Sequence, residues 1–246
     1  MPEPEAAIGV ICKAPRVGAS KTRLIPALGP EFAAQLSRCF LIDLAASIEA
    51  VATDIHAKGY MVFAPAEAEA ELRAFMPTSF GALCQQHAGL GTVLARSTQD
   101  LLDAGHDCVL LVNGDSPTLP ASLMTEAILA LRQPGERVVF GPALDGGYYL
   151  IGLKRAHLYL FEEIAWSTPQ VLAQSIQRAN LHQLPVVRLA PWYDVDEAQS
   201  LDWLRKEILG EKLPFLDRIG SPAQATRALL QSLNPGLQTL QADGVR

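Results

Sequence analysis

The sequence holds no uninterrupted apolar run approaching the ~20 residues a bilayer-spanning helix needs, so no membrane partner is expected. Its amino terminus, Met1-Pro2-Glu3-Pro4-Glu5, is acidic and lacks the basic-then-apolar pattern of a signal peptide. A cytoplasmic location is therefore the expectation. Positive charge is in deficit: 20 Lys and Arg stand against 26 Asp and Glu, for a net charge of −6. The cations are spread along the chain, which leaves no electrostatic footprint for nucleic acid. The four cysteines, Cys12, Cys39, Cys84 and Cys108, show no metal-ligand spacing and read as free thiols rather than as a disulfide framework. No internal repeat or low-complexity segment is present. What remains is a chain of 246 residues, 49% hydrophobic and 19% charged, long enough for one sizeable core. Residues 1–210 read as a single domain. Residues 211–246 read as a helical extension ending in a loose tail over Gln238–Arg246.

The stretch around which the rest is arranged is Val109-Leu110-Leu111-Val112-Asn113-Gly114-Asp115-Ser116-Pro117. A short apolar run stops at a carboxylate. In an open α/β sheet such a run is a buried parallel strand whose carboxyl end opens onto the ligand crevice. Asp115 then stands where a hard cation, and through it a phosphate, would be held. The same residue type also serves as a plain turn or capping Asp.

Ala6–Cys12 predicts a first strand, and it runs into a loop carrying Lys13, Arg16, Gly18, Lys21 and Arg23. Strand followed by Gly-bearing basic loop is a common way to meet phosphate. Arg23 can fork onto two oxygens, while Lys21 acts as a mobile point charge. The loop is neither a Walker loop nor G-x-G-x-x-G, so a dinucleotide site has no support. A solvated basic turn is the competing reading.

Further along, Pro30–Ala52 has helical apolar spacing, Tyr60–Ala64 reads as a strand and Ala66–Phe75 as an outer helix. Ala82–Gln86 reads as a third strand. His87-Ala88-Gly89-Leu90-Gly91 follows as a loop where bare backbone could meet a flat base or merely turn, and Thr92–Ala104 is helical. Leu123–Arg132 is a helix and Arg137–Gly141 a strand. Asp145-Gly146-Gly147 before the run Leu150–Leu153 is a hairpin signal that also leaves Asp145 at a strand end. Trp166 reads as core or as pocket wall. Ser167 or Thr168 could cap a helix over Val171–Ala179 with Pro169 in its first turn. After a last strand, Val186–Leu189, Asp194 and Asp196 point to one side if the chain stays extended, though Asp196 could simply cap the helix bearing Leu201, Leu204 and Ile208. Ala223–Leu233 reads as one more helix. Strands alternating with helices predict an α/β fold with a mainly parallel sheet. Asp115 and the Asp194/Asp196 pair can share one divalent ion only if their strand ends are neighbours.

Five blocks in this order resemble the rSAM/selenodomain-associated transferase family. They are Lys13-Ala14-Pro15 with Gly18 and Lys21-Thr22-Arg23-Leu24; Asn113 to Pro117; Gly141 to Gly152; Trp166-Ser167-Thr168; and Asp194-Val195-Asp196. The resemblance covers Ile8 to Leu204, and the family is similar in layout to 2-phospho-lactate guanylyltransferase. It implies a GT-A, nucleotide-diphospho-sugar transferase-like fold, a Rossmann-like three-layer sandwich with a mainly parallel mixed sheet. It implies Mg²⁺ or Mn²⁺ on Asp115, Asp194 and Asp196, and nucleotide contacts from Lys13, Gly18, Lys21, Arg23, Leu90 and Gly91. Asp115, Lys21 and Asp145 are the expected catalytic residues. Asp145, Gly146, Gly147, Trp166, Ser167 and Thr168 are expected to line the acceptor or donor-sugar pocket. The family tends to carry an acidic residue before the Leu-Gly pair and an Arg soon after; here Gly89 precedes Leu90-Gly91 and Arg96 is displaced.

The leading expectation is a metal-dependent transferase with a nucleotide-activated small-molecule donor and an acceptor left open, passing a glycosyl group from a nucleotide-diphospho-sugar. Nucleotidyl transfer from a triphosphate to a phosphorylated acceptor is one alternative. A nucleotide-binding regulatory protein without turnover is the other.

Overall fold

The computed structural model describes residues 5–85 and 89–233. Seven strands form one sheet: β1 (Ala6–Cys12), β2 (Ala57–Phe63), β3 (Gly81–Cys84), β4 (Val109–Asn113), β5 (Val138–Pro142), β6 (Tyr148–Leu153) and β7 (Val186–Arg188). Their order is β3-β2-β1-β4-β6-β5-β7, and β6 alone runs antiparallel to its neighbours β4 and β5. The fold is thus α/β with a mostly parallel mixed sheet. The helices are α1 (Ile25–Leu28), α2 (Pro30–Ile55), α3 (Ala68–Arg73), α4 (Leu90–Asp103), α5 (Ala121–Arg132), α6 (Val171–Leu181), α7 (Ala198–Ile208) and α8 (Gln224–Leu233).

The central strands are apolar on both faces because helices cover both. In β4, Leu110 and Val112 join the core beneath α2, α5 and α7, whereas Val109 and Leu111 join the core beneath α4 and α6. Leu36, Phe40, Leu44 and Ile48 recur at helical spacing along α2 and are all fully buried against the first face. Each such side chain is worth about 1.5–3 kcal/mol of burial. Residues 211–223 lay Leu213 and Leu216 into this same core, and α8 follows them onto α2. Asp43 of α2, itself buried, accepts the backbone N–H groups of Ala225 and Thr226 at 2.8 Å each, satisfying two donors at the start of α8.

Several boundaries differ from the sequence expectation for physical reasons. β2 begins at Ala57, not Tyr60, because Ala57, Lys58 and Gly59 pair with Ala6, Ala7 and Ile8. The missing side chain of Gly59 is the space the Phe80 ring occupies: a Cβ there would lie 2.4 Å from that ring. The segment expected as a loop at Gly89-Leu90-Gly91 is the start of α4, with Gly89 at φ 88° as its cap. Strand β3 stops at Cys84; Gln86, His87 and Ala88 lie outside the described residues, as does the tail expected over Gln238–Arg246. Helix α6 starts at Val171 after Gln170, so Pro169 lies before the helix, and neither Ser167 nor Thr168 is its cap. Thr168 instead closes the preceding turn, donating to the Ala165 carbonyl at 2.7 Å. All four cysteines are free. No helix among the described residues is long and apolar enough to cross a membrane.

Chain order sets the place of any ligand. From β1 the chain adds β2 and β3 on one side, then returns to lay β4 on the other side of β1. The sheet therefore reverses its winding between β1 and β4, and the carboxyl ends of these two strands splay a crevice open.

Candidate active site

At that crevice lies a cleft of about 870 Å³, within the range of small-ligand sites. Lys13, Arg16, Lys21 and Arg23 line it from the loop after β1, and Asn113, Gly114 and Asp115 from the end of β4. Asp145, Gly147 and Tyr148 come from the β5–β6 turn, Trp166, Ser167 and Thr168 from the segment before α6, and Asp194 and Asp196 from the segment after β7.

The acids meet because their backbones are joined. Asp115 accepts the Val195 N–H on its carbonyl at 2.9 Å, and the Ser116 hydroxyl donates to the Tyr193 carbonyl at 3.0 Å. Val195 is fully buried, which leaves Asp194 and Asp196 facing the cleft on either side of it. Asp196 is not the cap of α7. Glu197 takes that role in a reciprocal capping box with Ser200, and Asp196 is left free to turn inward.

Between Asp115 and Asp196 sits the ammonium of Lys21. Its Nζ is 2.5 Å from Asp115 Oδ1, 2.8 Å from Asp196 Oδ1 and 2.8 Å from the Val195 carbonyl. The Lys21 side chain is 5% exposed, while both carboxylates are 42% exposed and reach solvent. Burial opposes the lysine charge, but Asp115 and Asp196 outweigh it and hold its pKa above the ordinary value. The Phe40 ring lies beneath the ammonium at 5.2 Å. The backbone of Lys21 is left-handed, at φ 47°. Asp194 takes no part in this pairing. Its pKa is pushed up to about 7, first by burial and then by the neighbouring charges of Asp145, Asp196 and Asp115. Four carboxylates thus share one electrostatic neighbourhood.

The other cations are placed differently. Arg16 forks onto the Glu71 carboxylate of α3, with its closest approach at 2.6 Å. Lys13 and Arg23 line the cleft with no ion-pair partner among the described residues. Asp145 accepts the Gly147 N–H at 2.8 Å, so the turn reading of this residue holds, and its carboxylate still faces the cleft. Gly146, at φ 91°, is confined by the Pro169 carbonyl, which a Cβ would meet at 2.2 Å; it joins the hairpin turn to the start of α6 rather than lining the cleft. Gly18 and Gly91 also lie outside the lining. Gly91 is bare because the Trp166 indole lies on it, 2.7 Å from where a Cβ would be. Trp166 is therefore a wall, half-buried and braced by helix α4.

Some members of the site were not singled out in advance. Glu71, Phe40 and the Val195 carbonyl carry no motif, and only their proximity in the fold gives them a role. Lys21, expected at phosphate, rests on Asp115 and Asp196 in this structure.

Among the described residues, no group of three or more His, Cys, Asp or Glu side chains stands ready as a metal cage. Asp115 and Asp196 nevertheless converge on one cationic group. Mg²⁺ keeps several waters and takes one or two carboxylates plus substrate phosphates, so this donor set fits such an ion.

Residues 47–168 match a family described as "Uncharacterized protein conserved in bacteria (DUF2064)". The matched span includes β4 with Asp115 and the turn with Asp145, and stops at Thr168. A solved structure from Desulfovibrio desulfuricans G20, described as a "putative nucleotide-diphospho-sugar transferase", is 28% identical with a TM-score of 0.80. That match covers 96% of this chain and 97% of the other. More distant likenesses show the fold alone. A CMP:2-keto-3-deoxy-manno-octonic acid synthetase complexed with CTP is 13% identical, with a TM-score of 0.50 over 82% of this chain and 97% of that one. A 4-diphosphocytidyl-2C-methyl-D-erythritol synthase is 11% identical, with a TM-score of 0.54 over the same shares, 82% and 97%. No match is found among proteins of curated function. The Desulfovibrio structure is a transferase by description, which supports a transferase enzyme here.

Proposed function

We propose that the protein is a divalent-metal-dependent transferase that takes a nucleotide-diphospho-sugar as donor and passes its glycosyl group to a hydroxyl-bearing acceptor. The observation that carries this is the convergence of Asp115, at the end of β4, and Asp196, in the segment after β7, on one cationic group, the Lys21 ammonium, at the switch-point cleft. The likeness to the Desulfovibrio structure over nearly the whole of both chains supports the donor class, as does the motif resemblance to rSAM/selenodomain-associated transferases.

Mg²⁺ or Mn²⁺, when bound at Asp115 and Asp196, would neutralise charge growing on a leaving nucleoside diphosphate. Lys13 and Arg23, which line the cleft with no ion-pair partner among the described residues, bind the remaining phosphate oxygens; the fork of Arg23 fixes their orientation. These cations gain most when the anomeric bond breaks and the diphosphate departs with the bonding pair, because the charge they face is then largest. Trp166 forms the wall against which a sugar ring lies, held in place by the bare backbone of Gly91. Asp145 accepts the proton of the attacking hydroxyl on the oxygen its own turn leaves free.

The acceptor end favours glycosyl over nucleotidyl transfer. From residue 143 onward the cleft lining, among the described residues, contains Asp145, Asp194 and Asp196 but no Lys, Arg or His. A phosphorylated acceptor would bring its negative charge among carboxylates whose cationic contact, the Lys21 ammonium, is already engaged by Asp115 and Asp196. A neutral hydroxyl avoids that cost.

The test is a thermal-shift screen of UDP-, GDP- and CDP-sugars with and without Mn²⁺, followed by product analysis with the stabilising donor. Bound donor raises the melting temperature by mass action. Release of a nucleoside diphosphate is the expected product. Release of pyrophosphate from a triphosphate would select nucleotidyl transfer, and tight binding without turnover over a broad acceptor panel would select a regulatory role.

A further inference from the structure

We infer that the Lys21 ammonium is a built-in occupant of the divalent-ion seat between Asp115 and Asp196, so that ion and nucleotide phosphates bind cooperatively, the ion taking the acids and the phosphates receiving the displaced lysine. This rests on the proposed function, and it concerns how the site is filled rather than what it transforms.

A lysine ammonium has three N–H donors and no acceptor. Here the three go to Asp115 Oδ1, Asp196 Oδ1 and the Val195 carbonyl, at 2.5, 2.8 and 2.8 Å. No donor is left for a phosphate. Lys21 therefore cannot both hold this position and hold a substrate oxygen. An ion on the same two carboxylates would also face an ammonium within contact distance, a like-charge encounter in a place where the lysine is nearly sheltered from solvent. One of the two cations has to leave.

The lysine is the one able to move. Its four-carbon stem swings the ammonium without moving the backbone. The loop on which it stands is closed locally, by the Arg16 N–H donating to Ser20 Oγ at 2.8 Å and the Ser20 N–H donating to the Arg16 carbonyl at 3.0 Å. That loop also carries Lys13 and Arg23, which are free to engage phosphate, so the displaced ammonium would join a ready anion site. Ion alone must strand a buried lysine. Nucleotide alone must bring phosphate up to two carboxylates. Together each removes the cost of the other, and the coupling is reciprocal by linkage.

The decisive experiment measures Mn²⁺ binding, without nucleotide, by water-proton relaxation, which reports protein-bound Mn²⁺. It compares the parent with Lys21→Met, and uses Arg23→Met as a control for loss of a cleft cation that does not touch the acids. Lys21→Met should bind Mn²⁺ at least about tenfold more tightly than the parent, and Arg23→Met less than about threefold, the difference between removing a contact charge and a distant screened one. In the parent, saturating UDP, GDP or CDP, tried in turn, should raise Mn²⁺ affinity, and Lys21→Met should lose most of that gain. Equal Mn²⁺ affinity of parent and Lys21→Met, or an equal gain in Arg23→Met, would overturn the inference while leaving a metal-dependent site intact. Absence of Mn²⁺ binding by every form, with and without nucleotide, would remove the proposed function as well. The nucleotide series on the parent keeps the inference open to refutation even if Lys21→Met folds poorly: no effect of any of the three on Mn²⁺ affinity contradicts it.

Discussion

Val195 separates two acids and is itself sealed in the core, which makes a three-residue stretch into a device with its apolar middle held and its carboxylates presented. Alternation of side-chain direction made the shared side of Asp194 and Asp196 readable in advance. Whether Asp196 capped the next helix was not readable, because Asp is itself a favoured cap and the choice lies in backbone geometry: Glu197 has the extended φ of −143° of a cap residue. The partner of Lys21 was hidden for a related reason, since a contact across 175 positions leaves no local pattern. Arg23 gives the cleanest prediction at this scale. It lines the cleft without an ion pair among the described residues, so Arg23→Ala should melt as the parent does, within about 0.5 kcal/mol. The same change should weaken donor binding about tenfold or more in calorimetry, the loss of one charge-assisted contact to phosphate. A large loss of stability would show that Arg23 has a structural partner instead.

Helices and strands were largely legible from apolar spacing, and β1 ends where its sequence says. Two of the boundary differences involve glycines that serve a neighbour rather than a turn. Gly59 gives room to Phe80 inside a strand, and Gly91 gives room to Trp166 inside a helix. Both look like breakers until the ring that needs them is in place. Gly91→Ala adds helix propensity, worth about 0.5–1 kcal/mol, but drives a methyl to 2.7 Å from the indole. The expected result is a changed tryptophan emission and weaker donor-sugar binding in a protein that keeps its helical circular dichroism. Unchanged emission and affinity would take Trp166 out of the site. Helix α8 offers a second test, because its first turn is held by a carboxylate from α2. Asp43→Ala should cost about 1–2 kcal/mol in denaturant unfolding, the worth of a lost helix cap. It should also expose the segment after Gly210 to proteolysis earlier than in the parent, with little effect on donor affinity.

At the scale of the molecule, the function argument is about topology. Nothing in the local sequence says that β4 returns to lie beside β1, yet that placement brings the cationic loop opposite Asp115. The alternation of strands and helices gave the fold class, and resemblance gave the GT-A arrangement. The antiparallel β6, which carries the Asp145 turn to the cleft, was only half visible as a hairpin. Charge is sorted along the cleft by the same topology: four cations on the β1 loop, carboxylates on the strand ends opposite. The account stands or falls on where a divalent ion goes. Crystals grown with Mn²⁺ and the nucleoside diphosphate giving the largest thermal shift, measured at the manganese absorption edge, test this directly. The predicted anomalous peak lies between the carboxylates of Asp115 and Asp196, about 2 Å from an oxygen of each, with the Lys21 ammonium moved onto phosphate. A peak elsewhere, with Lys21 still bound to both acids, would contradict the account.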